Sequence, residues 1–366
     1  MSRTLHLAGQ PLPVVGRLRV YVCGITPYDV THLGHAATFV WTDALVRVVR
    51  SQGTAVELTR NVTDVDEALL AEAARRGQLY EHLASLQRFE FDRTMTSLRV
   101  RPPEHEPTAR GAVAEVIRLT EVLLERGAAY LVGATVYAQA AAAAARSGLA
   151  EAAAGLLAQE YGEDLHAPGK QHPLDVVLWR ETGPGAVSWP SPWGPGRPGW
   201  HAECAAMVLT QYGSSVDLHI GGVDLRYPHH ACEALLAETA TGVTPFARAW
   251  MHVGTVGIDG AKMAKSTGNL VLVDDLLEHS TPAAIRLLLL NRAWHQGWDY
   301  TPQALREAEA LLEQVYAAAA RPGGEAGVDT VDAALLADLD VPAALSAALQ
   351  GGGAAARRLV EVLALG

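Results

Sequence analysis

Two imidazoles flank a glycine at His32, Leu33, Gly34 and His35, where a predicted helix follows a predicted strand. The open N–H groups and the dipole of a helix start favour phosphate, so this turn is a candidate for holding the anionic tail of a nucleotide. Far downstream, Lys262, Met263, Ala264, Lys265 and Ser266 follow a strand and Gly260. Two mobile cations on such a loop can close on a triphosphate. Taken singly, H-x-G-H is as readily an ordinary helix start with polar caps, and a lysine pair is more often a solvated loop. Cys23, Cys204 and His229 offer two thiolates and an imidazole, a plausible soft zinc set. A lone Cys or His is more often buried packing, and the separation of these three lends no support by itself. On the helix expected after Pro228, His229, Cys232 and Glu233 stand at i, i+3 and i+4 and share one face.

The elements that must position these groups alternate. Residues 19–23 read as a short buried strand ending at Gly24 and a Thr-Pro turn, before a helix beginning near Gly34. Strand, loop and helix form the opening of a nucleotide-binding α/β unit. Residues 54–59 give a second strand, 66–76 and 82–98 two helices, and 109–126 a further helix after Pro102, Pro103 and Pro107. An insertion is expected here, over 101–172. Within it, 139–157 is Ala-dominated and reads as a solvated helix without chemistry. Residues 183–199, crowded with Gly and Pro and carrying Trp189 and Trp193, predict an ordered irregular loop. Strands are expected at 217–220 and 253–258, both ending in glycine-containing loops. After Pro282 the pattern is wholly helical, interrupted only at 322–327 and 351–353. The expected division is a nucleotide-binding half at 1–100, the insertion, a second half with the lysine loop at 173–275, and a helical domain at 276–366.

Composition limits the partners. The 366 residues carry 29 Lys and Arg against 40 Asp and Glu, a net charge of −11, which argues against a general polyanion binder. With 49% hydrophobic and 19% charged residues the chain is too apolar for disorder. Three cysteines are no disulfide framework and fit a reducing cytoplasm. The first 20 residues, broken by Arg3, Pro11, Pro13, Arg17 and Arg19, hold no signal-peptide core, so export is not expected. The uncharged run 127–145 is Ala- and Gly-rich and too weakly apolar for a membrane span.

Together, the HLGH and KMAKS segments resemble the signatures of class I aminoacyl-tRNA synthetases. There they clamp ATP and stabilise charge on the pentavalent phosphate during adenylate formation. YVCGITPYD at 21–29, NVTDVDE at 61–67, GRPGWHAECAAM at 196–207 and HIGGVDLRYPHH at 219–230 all resemble the cysteinyl-tRNA synthetase family, over about residues 19 to 290. Within it, ITPYDVTHLGHAATF and SWPSPWGPGRPGWH look closest to the mycothiol ligase branch, which joins cysteine to the amine of glucosaminyl-inositol. Length agrees, because a cysteinyl-tRNA synthetase continues into an anticodon-binding domain, whereas 100 residues follow Ser266 here.

The resemblance implies a Rossmann-like class I catalytic domain with an insertion and a C-terminal helical bundle. It implies an ATP-dependent ligase that forms cysteinyl adenylate and passes cysteine to an acceptor amine. His32, His35, Lys262 and Lys265 match the phosphate-stabilising positions. Gly24, Ile25, Thr26, Thr38, Asn61, Val62, Thr63, Trp200, Gly222, Val223, Asp224 and Val256 match positions that contact the aminoacyl adenylate. Asp224 suits the substrate ammonium or the ribose hydroxyls by charge. Cys23, Cys204 and His229 match zinc ligands, and an open zinc position that binds a thiolate would select cysteine over serine. Glu233 falls where the tRNA synthetases carry a fourth ligand, a feature not expected in the mycothiol branch; Cys232 is the other candidate, with a packed free thiol its favoured reading.

Other departures are Ala264 for serine in the lysine loop, EYGEDL at 160–165 for a more basic motif on the acceptor side ahead of a retained Pro168, Gly169 and Lys170, and Ala231 for a glutamate. The expected cofactors are zinc and ATP with Mg. The expected partners are cysteine, ATP and an acceptor amine, with neither tRNA nor membrane, acting on a cytoplasmic monomer. Two other readings remain: a shortened cysteinyl-tRNA synthetase or a ligase for another small amine or carrier, and an inactive cysteine or adenylate sensor. The intact HLGH and both lysines argue against the last.

Overall fold

The computed structural model describes residues 4–12, 14–28, 31–263 and 268–366. At its centre four parallel strands run in the order β4-β3-β1-β2: β1 is Arg17–Ile25, β2 Ala55–Val62, β3 Val216–Gly222 and β4 Ala247–Val253. Helix α1, Leu33–Ser51, crosses from β1 to β2. The register sets Tyr21 beside His219 and Val22 beside Arg60, then shifts before Ile25 meets Val62. Gly24 sits at that irregularity. A Cβ there would stand 1.6 Å from the Asn61 carbonyl oxygen, so only glycine lets β1 and β2 approach at this point.

Because both faces of a parallel sheet are covered, β1 and β3 are almost continuously buried, polar Asp217 and His219 included. One face is closed by α1 and the C-terminal helices, Pro282–Leu290, Pro302–Ala319, Glu325–Leu336, Val341–Gly351 and Gly353–Val362. Val20, Val40, Leu45, Ile285, Leu335 and Leu359 belong to one continuous core. Inside it, the fully buried Arg286 donates to Asp43 of α1 at 2.7 Å and to the carbonyls of Leu98 and Leu363 at 2.9 Å, so each charge has a partner. The other side carries α2, Trp200–Tyr212, and α3, Ala231–Thr241.

A second sheet is antiparallel, ordered Ala129–Val132, Thr135–Ala138, Val176–Glu181 and Gly196–Pro198. The residues expected as an insertion thus share a sheet with segments beyond position 172. Several expectations need correction. The Ala-rich stretch is two helices, Ala141–Arg146 and Glu151–Glu160, separated at Gly148, whose φ is 71°. It is not merely solvated, since Ala143, Ala144 and Ala154 pack into the second core. Strand 253–258 is two strands, β4 and Val256–Ile258. The region after Pro282 is not wholly helical: the chain leaves the helix at Asn291, and Trp298–Asp299 pairs in parallel with Val256 and Gly257. No helix among the described residues is long and apolar enough to cross a membrane.

Candidate active site

Three elements deliver one buried polar centre. Cys23 lies near the end of β1, Cys204 at the start of the second turn of α2 and Glu233 on the first turn of α3, with His229 in the irregular turn Arg226–His230 just before it. Donor atoms of these four buried residues all lie within 4.8 Å of one another. Cys23 Sγ is 3.5 Å from Glu233 Oε1, and His229 Nε2 is 2.6 Å from the same oxygen. His229 Nε2 nevertheless makes no hydrogen bond. Two thiols, an imidazole and a carboxylate converging on one point, with a buried imidazole nitrogen unsatisfied, fit a tetrahedral zinc ion. Cys23, His219, His230 and Glu233 also converge within that distance, but share two members with the first set and so describe the same centre.

Electrostatics agree with a cation there. Burial opposes charge on His229, but the Glu233 carboxylate raises it to about 10. Against the same burial, His229 and His219 hold Glu233 well below the usual carboxylate range. A hydrogen bond from the Cys23 thiol, opposed by burial, draws Cys204 down to about 6, whereas burial pushes Cys23 up. Cys232 stands apart: it packs with Leu235, Leu236 and Tyr227 in the second core, and burial raises its thiol. Of the two candidates for a fourth donor, Glu233 faces the centre.

The cleft is walled by aromatic rings. Trp200 stacks on His229 at 4.0 Å and 16°, and Tyr161 stacks on Trp200 at 5.9 Å and 27°. Asp224 follows β3 in the turn Val223–Leu225; Val223 beside it is exposed. Asp224 Oδ2 accepts from Lys262 Nζ at 2.7 Å and from the Tyr161 hydroxyl at 3.4 Å. A Cβ on Gly222 would meet Asp224 Oδ1 at 2.2 Å, so the carboxylate folds closely over that glycine. On the floor, Asn61 Oδ1 accepts from the Gly24 N–H at 2.8 Å while its Nδ2 donates to Thr63 at 3.2 Å. Ile25 and Val62 are buried beside them and Thr63 N donates to Ile25 O at 2.9 Å, so these residues form one unit. Thr26 follows at the strand end; Thr38 lies on α1, its carbonyl accepting from Thr42.

The phosphate candidates are tied together by backbone. His32 caps α1 through Nδ1, which accepts from Gly34 N at 3.1 Å, and its ring lies 3.8 Å from that of the exposed His35. Leu33 N donates to Val271 O at 2.8 Å and Val273 N to Thr31 O at 3.2 Å, which fastens the segment following the lysine loop to the HLGH turn. Lys262 ends the short strand Ala261–Lys262, whose partner strand carries the buried Val256. Ala264 and Lys265 lie outside the described residues.

Sequence reasoning missed several neighbours. His201 and His229 share a hydrogen bond between their Nδ1 atoms at 2.9 Å, His219 Nε2 is 2.9 Å from Glu233 Oε2, and His230 Nδ1 is 2.9 Å from His252 Nε2. Burial lowers His201 to about 3 and His252 to about 4, so these imidazoles are neutral. Glu203 is buried with neither carboxylate oxygen hydrogen-bonded, and burial raises it well above the usual range. His219, inside an expected buried strand, was the available signal, because such a strand seldom carries an imidazole without a partner.

The family model described as tRNA synthetases class I (C) catalytic domain matches residues 12–310. The L-cysteine:1D-myo-inositol 2-amino-2-deoxy-alpha-D-glucopyranoside ligase of Thermobispora bispora is 44% identical over 362 residues, covering 94% of this chain and 89% of its own. The protein of the same name from Streptomyces griseus subsp. griseus is 45% identical over 337 residues, 90% of this chain and 82% of its own. Among solved structures, Mycobacterium tuberculosis methionyl-tRNA synthetase in complex with methionyl-adenylate aligns over 96% of this chain and 82% of its own, with a TM-score of 0.65 and 17% identity, a likeness of fold.

Proposed function

The chain belongs to the class I (C) tRNA synthetase catalytic-domain family, and from that premise we propose that it is an ATP-dependent ligase joining L-cysteine to the amine of 1D-myo-inositol 2-amino-2-deoxy-α-D-glucopyranoside. The observation that carries this reading is the thiol-rich centre of Cys23, Cys204, His229 and Glu233 placed under Trp200, in a chain near-collinear with ligases of that name. In the first half-reaction the cysteine carboxylate attacks the α-phosphorus of ATP, and pyrophosphate leaves. In the second, the acceptor amine attacks the carbonyl of the mixed anhydride, AMP leaves, an amide forms and the amine gives up a proton.

Each group has a task in this scheme. His32 and His35 at the start of α1, with Lys262, Lys265 and the Mg ion that accompanies ATP, meet the charge that builds on phosphate. Gly24, Ile25, Thr26, Thr38, Asn61, Val62, Thr63, Gly222, Val223 and Val256 surround the adenylate. Asp224 receives an ammonium or ribose hydroxyls, and Trp200 closes the side toward the thiol. Cys23, Cys204, His229 and Glu233 would hold zinc, which supplies a soft Lewis-acid position for the substrate sulfur. We take 1–100 and 173–275 as the catalytic halves, 101–172 as an insertion whose sheet continues into the second half, and 276–366 as a mostly helical C-terminal segment. The three free, buried cysteines suit a reducing cytoplasm, where we take the chain to work as a monomer without a membrane partner.

Glu233 favours a second reading, a cysteinyl-tRNA synthetase, because that is the branch in which a glutamate ligand is expected. Net charge of −11 weighs against tRNA as a partner. The deciding experiment is cysteine-dependent ATP–pyrophosphate exchange followed by product analysis with glucosaminyl-inositol, tRNA and small amines. Amide formation with glucosaminyl-inositol supports the first reading, aminoacylated tRNA the second, and absent exchange sinks both.

A further inference from the structure

Two charged groups with separate tasks are joined to each other here. Lys262, whose task lies with phosphate, donates to Asp224 Oδ2 at 2.7 Å, while Asp224 is the acid suited to a substrate amine or hydroxyl. One ammonium cannot stay on Asp224 and also follow the phosphate, so the pair must separate during turnover. Separation leaves a carboxylate that is only partly exposed without its cation.

Tyr161 stands where it can bridge that moment. It caps the helix Glu151–Glu160, inside the EYGEDL segment that reaches over the cleft. Its hydroxyl lies 3.4 Å from the same Asp224 oxygen, its ring centroid is 5.8 Å from the Lys262 ammonium, and its face is stacked on Trp200, which is itself stacked on His229. Burial raises its phenol to about 12, so it remains a donor at neutral pH.

We propose that Tyr161 is a positioning residue that holds Asp224 aimed into the cleft when Lys262 leaves it for phosphate, handing the carboxylate from the loop cation to the amine-bearing substrate. The stack on Trp200 fixes where the hydroxyl points, so a side chain of the insertion sets the geometry with which a residue of the catalytic sheet meets its substrate. Asp224 touches the substrate; Tyr161 acts through it. The proposal rests on the ligase reading given above.

The test uses Tyr161→Phe, which keeps the ring and its stack, in wild-type and Asp224→Asn backgrounds. Kinetics are measured for cysteine-dependent pyrophosphate exchange and for the full reaction with glucosaminyl-inositol, beside zinc content and thermal midpoint. Loss of one hydrogen bond should raise the KM of the amine substrate that Asp224 meets by roughly 3- to 10-fold, with a smaller change in kcat and none in the KM for ATP, zinc content or midpoint. In the Asp224→Asn background the tyrosine effect should shrink to less than about 2-fold, since coupled residues are non-additive. An unchanged KM for both amine substrates overturns the proposal, as does an effect of full size without the Asp224 carboxylate. If the unmodified enzyme shows no cysteine-dependent exchange, the ligase reading itself fails and this inference falls with it.

Discussion

His229 Nε2 lies 2.6 Å from Glu233 Oε1, one helical turn further along, and the two close no hydrogen bond. The other ring nitrogen, Nδ1, is in contact with His201 Nδ1 at 2.9 Å, so the free face of the imidazole is the one turned toward Glu233, Cys23 and Cys204. Neutral His201 therefore fixes which nitrogen of His229 is presented, a task that neighbours of metal-bound imidazoles commonly perform.

One zinc per chain is the expected stoichiometry after dialysis against a mild chelator. Cys204→Ser should remove it, and full zinc content in that variant would take Cys204 out of the ligand set. His201→Ala should weaken zinc by about 10- to 100-fold without abolishing it, the usual effect of losing the partner of a ligating imidazole. Competition against a chromophoric chelator reads both.

Substrate choice should follow the same residues. A site built to take a thiol rejects a hydroxyl analogue by several orders of magnitude, because its soft donors are left with a poor partner. Cysteine should therefore exceed serine in kcat/KM for pyrophosphate exchange by about 10³-fold or more. Comparable exchange with serine would show that the thiol-rich centre does not read the side chain.

The parts of this site legible in sequence are those held by short-range pattern. His32 and His35 could be placed because a strand, a turn and an amphipathic helix are local signals, and β1 and α1 form close to where periodicity puts them. Cys23, Cys204 and His229 could not be brought together by any local rule: they come from β1, from α2 and from the turn before α3, whose packing against one another is tertiary, and only resemblance to a family suggested it. His219 falls in an expected strand and His252 just before one; the pairing of His219 with Glu233 depends on α3 packing against β3, and that of His252 with His230 on β3 and β4 being neighbours. The Ala-rich segment misled for a different reason. Alanine is equally at home in water and in a close helix contact, so composition could not tell that Ala143 and Ala154 are buried.

Acid should loosen the central sheet at Asp217. Burial would raise its carboxyl, but two guanidinium hydrogen bonds from Arg19 at 3.0 Å and the Arg19 N–H at 2.9 Å outweigh it and hold it below the usual carboxylate range. A depressed carboxyl contributes stability that is present above its unfolded pKa and lost as pH falls through the folded one. Asp217→Asn should thus cost about 2 kcal/mol in urea unfolding at neutral pH, and the gap to the native protein should close in acid, where the native carboxyl is itself neutral. A gap that stays constant with pH would mean that the ion pair contributes only packing.

Lys262 and Lys265 should be separable from Ala264 by what each can offer a phosphate. If the lysines meet charge that develops in the transition state, removing one should slow adenylate formation by about 100-fold or more. Cysteine binding in the ground state should barely change. For Lys262 there is a further consequence, because burial opposes its charge while the Asp224 carboxylate raises its pKa in the ligand-free protein. Lys262→Ala frees that carboxylate, and cysteine affinity should rise slightly if Asp224 takes the substrate ammonium. Ala264→Ser restores a neutral hydroxyl, which contributes about 1 kcal/mol at most and cannot replace a cation. Single-turnover adenylation by Lys262→Ala, Lys265→Ala and Ala264→Ser compares the three. Native rates in both lysine variants would leave the loop without a part in phosphate chemistry, and His32 and His35 would have to account for the whole of the charge stabilisation.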